Sequence, residues 1–526
     1  MRGACAKQLP RTANESFLHF FIPPKADHGG TVMRNIHLKT PAAILAAALF
    51  AWILNTACEL TSGIYTDVVC MLMAFLWAVC AVWALTSDRK TDRTSVSVLL
   101  GASFTVGLIF ILQLPYYFSW HDLAAYSADF SVPGKPDGHL GFIAWLVENN
   151  RLPLEINPME DGYSVFYNPP LHHILHALFM KINLALGLSE AVALENLQVL
   201  TLLFAFGTVH AGVLLMREMD FSSKAVRTGL WALAFQPMLF ILGGTLNNDI
   251  QMIYCVARCA VHVVRWQKKR RAADIFWIAI FLGCGMATKL NAALLIPCIA
   301  PVFAVAFFKD AKVRRMGYVK QFALFLLVSV PVAIAWPVYH MAAFDMPLNY
   351  VRLPAETINV SSFPYARRYG IPDWYARRGL FYSPTLKVSH NVWMQTFKTG
   401  LFDEMTLFAE GTVMWYVAYV LLMGFAALLA VGAAGFLVMA LKRRDACGWF
   451  LLGYGVLLLA SYLKFTLDYP YVCTFNFRYI APVLVLGAAG FAQWRKTLGR
   501  AGWLAECCAA GYSILVLFVY GCYFFG

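Results

Sequence analysis

The sequence predicts an all-α polytopic membrane protein with about 13 transmembrane helices, because its composition is apolar and its apolar runs are long. Of the 526 residues, 60% are hydrophobic and only 13% are charged, whereas a soluble globular domain carries about 25% charged residues. Apolar runs recur along most of the chain, and each is long enough to cross about 30 Å of hydrocarbon. This composition excludes a soluble enzyme, a disordered chain and a nucleic-acid-binding protein.

Thirteen of the apolar runs are predicted to cross the membrane as helices. A further run, 171–187, is shorter and follows Pro169 and Pro170, so we expect it to form a juxtamembrane helix in the first large outer loop. The predicted spans are 41–60, 64–85, 96–117, 194–216, 228–246, 249–265, 273–288, 291–308, 319–341, 413–441, 446–466, 479–494 and 503–525.

Basic residues account for the formal net charge of +13 and predict the orientation. They cluster after even-numbered spans if 171–187 does not cross, and the positive-inside rule places such short loops in the cytoplasm. A solvated charged face is the alternative for any single cluster. We therefore expect a plasma-membrane protein with a cytoplasmic N-terminus and its active site on the outer face. The clusters lie at 89–93, 268–271, 309–315, 442–444 and 495–500.

The spans and loops predict a division of the chain into five parts. The first is a cytoplasmic N-terminal segment, and Met33 is a second candidate start within it, which would leave part of that segment untranslated. Two additional helices come next, and the membrane core comes after them. The parts are 1–40 (N-terminal segment), 41–95 (additional helices), 96–341 (core, with the outer loop 118–193), 342–412 (outer loop) and 413–526 (C-terminal helices).

Acidic and imidazole groups concentrate between residues 118 and 181, a stretch that holds five of the 12 histidines. Asp122 comes directly after a predicted span, beside His121, and Asp137 comes shortly before His139. Such groups beside a membrane are what acid/base or metal chemistry requires. The alternative is a polar loop whose carboxylates merely face water. We predict Asp122 and Asp137 as catalytic residues and His121 and His139 as substrate-binding residues.

Three further histidines form a candidate metal site. His172 and His176 share one helical face, and His173 lies between them in sequence. Two such imidazoles could bind a divalent metal ion together with a carboxylate from outside the helix. A hydrogen-bonded structural role is the preferred interpretation, so the requirement for a metal cofactor stays open.

Polar residues also interrupt the chain at three predicted outer ends of spans. They are Asn247-Asn248-Asp249, Lys289-Leu290-Asn291 and Asn476-Phe477-Arg478-Tyr479. Polar groups at membrane depth are costly, so they tend to face a cavity. The alternatives are a helix cap at the first position and snorkelling of the two cations to the head groups. Because the positive-inside rule disfavours cations on this face, an anionic group such as a lipid phosphate would explain them.

Together these motifs resemble the glycosyltransferase-C superfamily, near the bacterial protein O-mannosyltransferases and lipid A aminoarabinose transferases. The resemblance runs from about residue 96 to 495 and is made of short motifs. Two additional spans before residue 96 depart from the simplest family layout. The motifs are the acidic first outer loop, His121-Asp122, the segment 138–143, the segment 166–173 with Tyr167, Asn168 and the Pro-Pro-Leu motif, and the later Asn-Asp, Lys-Leu and Arg-Tyr pairs.

The resemblance implies a sugar transferase that uses a polyprenyl-phosphate-linked donor. It implies transfer on the outer face to a hydroxyl or amine of a lipid, glycan or protein, with Asp122 as the general base. Leu123 follows Asp122 where the commoner pattern has a second acidic residue, which leaves open a role for Asp137. Asn168 stands where His or Gln is usual, which puts a metal role for that position in doubt.

The expected function is therefore transfer of a hexose or pentose by direct displacement, which would invert the anomeric carbon. Positively charged groups would stabilise the departing phosphate. The alternatives are a transporter or flippase of lipid-linked sugars, and a ligase or polymerase of surface polysaccharide. The residues predicted to bind the donor phosphate or substrate are His121, His139, Tyr167, Asn168, Asn248, Asp249, Lys289, Arg478, Tyr479 and, in the second outer loop, Arg367 and Arg368.

Overall fold

The computed structural model describes residues 31–86, 92–117, 138–155, 165–310, 314–348, 358–371, 380–381, 390–403 and 405–526. Throughout this part of the chain the regular elements are α-helices and short 3-10 helices, apart from one isolated bridge between Asn359 and Tyr471. The predicted all-α class is therefore confirmed. Contacts divide the chain into two units, Met1–Phe50 and Ala51–Gly526, and the second contains nearly all of the described helices.

The helices that the structure describes follow one another with short connections. Two 3-10 turns, Leu290–Leu295 and Phe477–Ile480, matter for the site. The helices are α1 (Thr31–Leu60), α2 (Thr66–Thr86), α3 (Asp92–Gln113), α4 (Gly138–Asn149), α5 (Leu171–Ala185), α6 (Glu190–Glu195), α7 (Gln198–Glu218), α8 (Ser223–Ala234), α9 (Pro237–Gly243), α10 (Asn248–Lys269), α11 (Ala272–Thr288), α12 (Ile296–Lys309), α13 (Arg315–Phe344), α14 (Tyr365–Tyr369), α15 (Val392–Phe402), α16 (Val413–Arg443), α17 (Ala446–Asp468), α18 (Val483–Thr497) and α19 (Trp503–Phe525).

Within the described residues, nine helical segments are long and apolar enough to cross a membrane, or eleven if two bent pairs each form one span. The bent pairs are α8 with α9, at 61°, and Val472–Ile480 with α18, at 50°. The other two predicted spans, 249–265 and 273–288, correspond to α10 and α11. Helix α11 has 17 residues, and α10 is too polar to face lipid. The polytopic class is confirmed, with nine to eleven candidate spans where about 13 were expected.

Helix α10 tolerates polar residues because protein, rather than lipid, surrounds it. Its side chains are buried along most of its length, and it packs against α7 and α11. Its first turn is capped by Asn247, whose side-chain oxygen accepts a hydrogen bond of 2.8 Å from the backbone N–H of Asp249. Such a cap satisfies an N–H that has no partner within the helix. The capping interpretation is therefore right for Asn247, and the carboxylate of Asp249 is left to make other contacts.

The predicted juxtamembrane run 171–187 is the helix α5, which has 15 residues and is too short to span the hydrocarbon alone. It begins directly after Pro170 and ends at Ala185, two residues before Gly187, whose φ of +81° lies in the left-handed region. Helices commonly end in this way at a glycine. Helix α5 packs against α4, and Phe142 and Phe166 contact each other in the core beneath them, with ring centroids 5.0 Å apart.

Hydrogen bonds connect the last turns of α1 to the segment around α5 and α6. The indole of Trp52 donates to Asn183 at 2.9 Å. Asn196 donates to both Asn183 and Thr56 at 2.9 Å and accepts a bond of 3.1 Å from Asn55. A buried polar network therefore joins α1 to α5 and to Asn196, and each satisfied bond contributes about 0.5–1.5 kcal/mol.

Replacing Asn196 by Ala is expected to lower the thermal stability of the purified protein, because it leaves the buried Asn183 and Asn55 side chains without this partner. An unsatisfied buried polar group costs about 1–3 kcal/mol. Thermal unfolding in detergent measures the change. Asn149→Ala is the matched control, since Asn149 is half-buried and bonds only within its own helix. Equal unfolding temperatures for both variants would contradict the proposed role of the network.

Candidate functional site

A cavity of about 410 Å³ lies where several of the predicted motifs meet. Its walls come from α4, residues 167–169, the start of α10, the junction of α11 with the 3-10 turn Leu290–Leu295, and the end of α17. The structure thus brings side chains from both halves of the chain into one space. Six predicted site residues line it: His139, Tyr167, Asn168, Asn248, Lys289 and Tyr479.

One wall of the cavity carries a buried carboxylate between two cations. The ammonium of Lys289 donates to Asp249 Oδ1 at 2.6 Å, and Asp249 is fully buried. Arg478 Nε lies 3.7 Å from Asp249 Oδ2, and Arg478 Nη2 donates to the Tyr479 hydroxyl at 3.0 Å. Lys289 Nζ lies 5.1 Å and the Arg478 guanidinium 4.9 Å from the centroid of the Tyr479 ring. We call these four side chains the cationic wall.

Local backbone structure fixes the cationic wall. Lys289 follows the last residue of α11 in an extended conformation, with φ −158° and ψ 129°, which ends the helix and turns the side chain toward the cavity. Asn248 joins this point to the start of α10, because its Nδ2 donates to the carbonyl of Thr288 at 3.1 Å. The side chain of Asn476 accepts from the backbone N–H of Arg478 at 3.0 Å and so caps the turn that carries Arg478.

The charges of the cationic wall sum to one positive charge when both bases are protonated and Asp249 is ionised. A buried charge must be compensated, and removing one partner of a buried pair costs about 3–5 kcal/mol. Asp249 therefore holds the two cations in place, and it does not itself line the cavity. The positive charge that remains faces the cavity through Lys289. Chemically, this wall is suited to an anionic ligand.

A cluster of four buried histidines adjoins the cavity at His139. Nδ1 of His139, which lines the cavity, lies 2.8 Å from Nε2 of His173. His172 Nδ1 lies 3.2 Å from Oε1 of Gln251 on α10, and His176 Nδ1 donates to the carbonyl of His172 at 2.8 Å. The cluster thus connects α4 and α5 to the helix that carries Asp249.

Burial makes the charged form of these imidazoles costly. Burial and the neighbouring imidazoles hold the pKa of His172 and of His173 well below its usual range, and burial lowers the pKa of His176 to about 4. In the described part of the chain, no group of three or more His, Cys, Asp or Glu side chains is arranged to hold a metal ion. The contacts agree with the structural interpretation of these histidines, and the metal role stays a prediction.

Acidification is expected to destabilise the fold through His176, whose folded pKa of about 4 lies below the unfolded value near 6.5. The stability due to the neutral imidazole is present above about pH 6.5 and is lost as the pH falls toward 4. Between pH 7 and 5 the loss is about 2 kcal/mol for this group. Thermal unfolding at both pH values measures it, and His176→Gln should lose less stability than the unchanged protein. Equal losses in both would contradict the prediction.

A further part of the cavity lining comes from the last turns of α17 and was not predicted. Ser461, Lys464 and Asp468 line the cavity from one face of the helix, and Lys464 Nζ donates to Asp468 Oδ2 at 2.5 Å. The signal in the sequence was a lysine inside the predicted span 446–466, four residues before a carboxylate. Hydroxyl, carboxylate and ammonium groups beside the aromatic rings of Tyr462 and Tyr469 are suited to bind a polyhydroxylated ligand.

The remaining predicted site residues do not line this cavity in the described part of the chain. His121, Asp122 and Asp137 lie outside the described residues. Arg367 stacks on the ring of Phe363 at 4.6 Å. Arg368 is buried and lies 4.5 Å from the ring centroid of Tyr365. Both contacts are local to residues 363–369, and the substrate-binding role of the two arginines stays a prediction.

Comparison with known families identifies one matching segment. Residues 168–336 match the family model described as dolichyl-phosphate-mannose-protein mannosyltransferase. The segment starts at Asn168 and contains Asp249 and Lys289. The match covers less than a third of the chain, and over this segment it agrees with the resemblance to the protein O-mannosyltransferases that the motifs predict. No curated protein matches the sequence.

Comparison with solved structures finds distant similarity. ArnT from Cupriavidus metallidurans in the apo state is 12% identical, with a TM-score of 0.45 over 79% of this chain and 62% of that chain. The oligosaccharyltransferase of Archaeoglobus fulgidus in the apo form is 13% identical, with a TM-score of 0.43 over 81% of this chain and 54% of that chain. The chain therefore spans 62% of the length of the first and 54% of the second.

Proposed function

We propose that this protein is a membrane glycosyltransferase of the glycosyltransferase-C type. It takes a sugar from a polyprenyl-phosphate-linked donor and transfers it to a hydroxyl or amine of a lipid, glycan or protein acceptor on the outer face. The family match over 168–336 supports the class of reaction. The observation that carries the proposal is the cationic wall, in which Lys289 faces the cavity and Asp249 holds it. A lipid phosphate is the anion that such a wall would bind beside a membrane.

In the proposed reaction the acceptor oxygen or nitrogen attacks the anomeric carbon, and the bond from that carbon to the phosphate oxygen breaks. Asp122 accepts the proton of the acceptor, a contribution of about 10²–10⁴-fold for a positioned general base. Negative charge builds on the departing phosphate, and Lys289 with Arg478 stabilises it. Direct displacement inverts the anomeric centre. Asp137 is the candidate for a second carboxylate at this point.

The sugar and the acceptor would occupy the space between the cationic wall and α17. Asp468 and Ser461 line that space and can accept hydrogen bonds from sugar hydroxyls. The rings of Tyr462 and Tyr469 provide apolar surface for the faces of a pyranose. Asp468 is the one carboxylate among the described lining residues, so it is also the described group that could compete with Asp122 for the role of base.

Addition of EDTA to the purified protein is expected to leave transfer unchanged, because the cationic wall already supplies positive charge at the phosphate. The measurement is transfer to a fixed acceptor before and after chelation. Loss of activity that Mg²⁺ or Mn²⁺ restores would instead bring a metal ion into the mechanism, with His172, His173 and His176 as its candidate ligands.

The experiment that tests the proposed function uses the full chain in proteoliposomes with a radiolabelled polyprenyl-phosphate sugar. Extracted membrane lipids, glycans and proteins serve as acceptors, and label leaving the donor for an acceptor supports the proposal. The anomeric configuration of the product, read by NMR, tests inversion. Movement of intact labelled donor across the bilayer without transfer would favour a flippase. Transfer only from donors that carry long saccharide chains would favour a polysaccharide ligase.

A further inference from the structure

A second cleft, of about 270 Å³, opens between α4 and α5, and none of its lining residues lines the 410 Å³ cavity described above. Its floor is apolar and consists of Leu146, Ile174 and Ala177. Its rim carries two cations: Arg151 just after α4 and Lys181 near the end of α5. We call it the α4–α5 cleft. Neither the family match nor the proposed reaction requires it.

The rim of the α4–α5 cleft is electropositive. Arg151 is exposed, and Lys181 is half-buried and donates to the side-chain oxygen of Asn150. Asn150 sits in the left-handed region with φ +53°, which ends α4 and brings its amide to the rim. No carboxylate is found among the described residues that line the cleft. Two cations and an amide around one opening match the oxygens of a phosphate.

The position of the α4–α5 cleft relative to the membrane surface follows from a contact with a candidate membrane-spanning helix. The hydroxyl of Tyr339 donates to the carbonyl of Pro153 at 2.9 Å. Tyr339 lies in the last two turns of α13, a candidate span that ends at Phe344, and Trp336 stacks on it with centroids 5.5 Å apart. Aromatic residues at the end of a span typically mark the head-group level. The cations of the rim therefore lie near the head groups.

Apolar side chains continue from the cleft along α5. Leu178, which lines the cleft, is 54% exposed, Ile182 is 55% exposed and Leu186 is 59% exposed. In water a row of this kind would be unfavourable, whereas beside a membrane it forms a track for a hydrocarbon chain. A ligand that joins a phosphate to an acyl chain would satisfy the rim and the track together.

We propose that the α4–α5 cleft binds an anionic phospholipid, with its phosphate between Arg151 and Lys181 and an acyl chain along α5. A zwitterionic lipid binds less well, because its ammonium group opposes the two cations. Helices α4 and α5 also carry His139 and His173, whose hydrogen bond borders the catalytic cavity. The bound lipid thus braces α4, whose His139 lines that cavity, against α5. This assignment holds whether or not the proposed transfer is correct.

Native mass spectrometry of the detergent-purified full chain, titrated with phosphatidylglycerol or with phosphatidylcholine of identical acyl chains, tests the proposal. The unchanged protein should bind phosphatidylglycerol more tightly. The variant R151Q/K181Q should bind it about 30-fold more weakly, since each cation near a membrane surface contributes about fivefold to tenfold. The charge-conserving variant R151K/K181R should keep most of the affinity, which separates charge from folding.

The matched control is K496Q/R500Q, which removes the same two residue types from exposed positions, Lys496 in the last turn of α18 and Arg500 between α18 and α19. It should retain the preference for phosphatidylglycerol. Equal affinity of the unchanged protein for both lipids, or an equal loss in the control, would overturn the proposal. Displacement of phosphatidylglycerol by millimolar inorganic phosphate would also overturn it, by showing a site for free phosphate rather than for lipid.

Discussion

Replacing Asp122 by Asn is expected to lower the rate of sugar transfer by about 10²–10⁴-fold, the usual contribution of a positioned general base. The amide keeps the size of the side chain but cannot accept the proton of the acceptor hydroxyl. Because the residue follows a predicted span and precedes a polar loop, the change should leave the fold intact. Initial rates with labelled donor in proteoliposomes measure the loss, and thermal unfolding checks the fold.

Asp129→Asn is the matched control for this prediction, since Asp129 belongs to the same predicted outer loop and has no proposed role. It should keep nearly full activity. If Asp122→Asn also transfers at the normal rate, Asp122 is not the base, and Asp468→Asn becomes the decisive variant. If Asp468→Asn loses most of its activity while Asp122→Asn stays active, Asp468 on α17 is the general base.

Replacing Lys289 by Met is expected to have the second large effect, on both activity and stability. The change removes the cation that faces the cavity, and loss of one donor to a developing charge typically costs about 10²–10³-fold in rate. It also leaves the buried carboxylate of Asp249 with Arg478 at 3.7 Å as its described cationic neighbour. Breaking a buried pair in this way costs about 3–5 kcal/mol.

The double variant Lys289→Met/Asp249→Asn separates these two effects. Neutralising the carboxylate removes the uncompensated charge, so most of the lost stability should return. Activity should not return, because the cation at the phosphate is still absent. Thermal unfolding and transfer rates measured on the single and double variants form a double-mutant cycle. Recovery of both activity and stability would show that Lys289 acts only to compensate Asp249.

Lys464→Met is the matched control for the lysine change, because Lys464 lines the same cavity but its side chain is 75% exposed and pairs with Asp468. It should destabilise the protein little, since exposed ion pairs contribute about 0–1 kcal/mol. A loss of activity equal to that of Lys289→Met would mean that general positive charge in the cavity, rather than the cationic wall, supports the reaction.

Much of the fold could be predicted because a membrane-spanning helix can be recognised from its own run of apolar residues. Each of the thirteen predicted spans falls on one or two helices of the structure, since an apolar run must form a helix to satisfy its backbone in lipid. The same rule is less informative for α10, which protein surrounds on most sides. Its buried side chains show that it lies in the interior of the bundle, whereas the sequence predicted it as one more membrane span.

Several residues of the candidate site were predicted from the sequence, but the contacts between them were not. The polar interruptions at Asp249, Lys289 and Arg478 were visible because charges at the ends of spans are costly. Their predicted role in binding the donor phosphate or the substrate stays a prediction, and the structure adds that Asp249 is fully buried and contacts both cations. Asp468 was missed because a carboxylate just after a span is, from sequence alone, the same as any solvated loop residue.

The sequence by itself determined the helical class, the places where charged groups interrupt it, and a charge asymmetry that predicts the orientation. These properties depend on neighbouring residues and on the solvent, so they can be read along the chain. Only the tertiary structure decided that Lys289 pairs with Asp249, that Arg478 joins them from the far end of the chain, and that α17 closes the cavity. Such pairings depend on how helices pack, and the spacing of residues within one helix does not specify its neighbour.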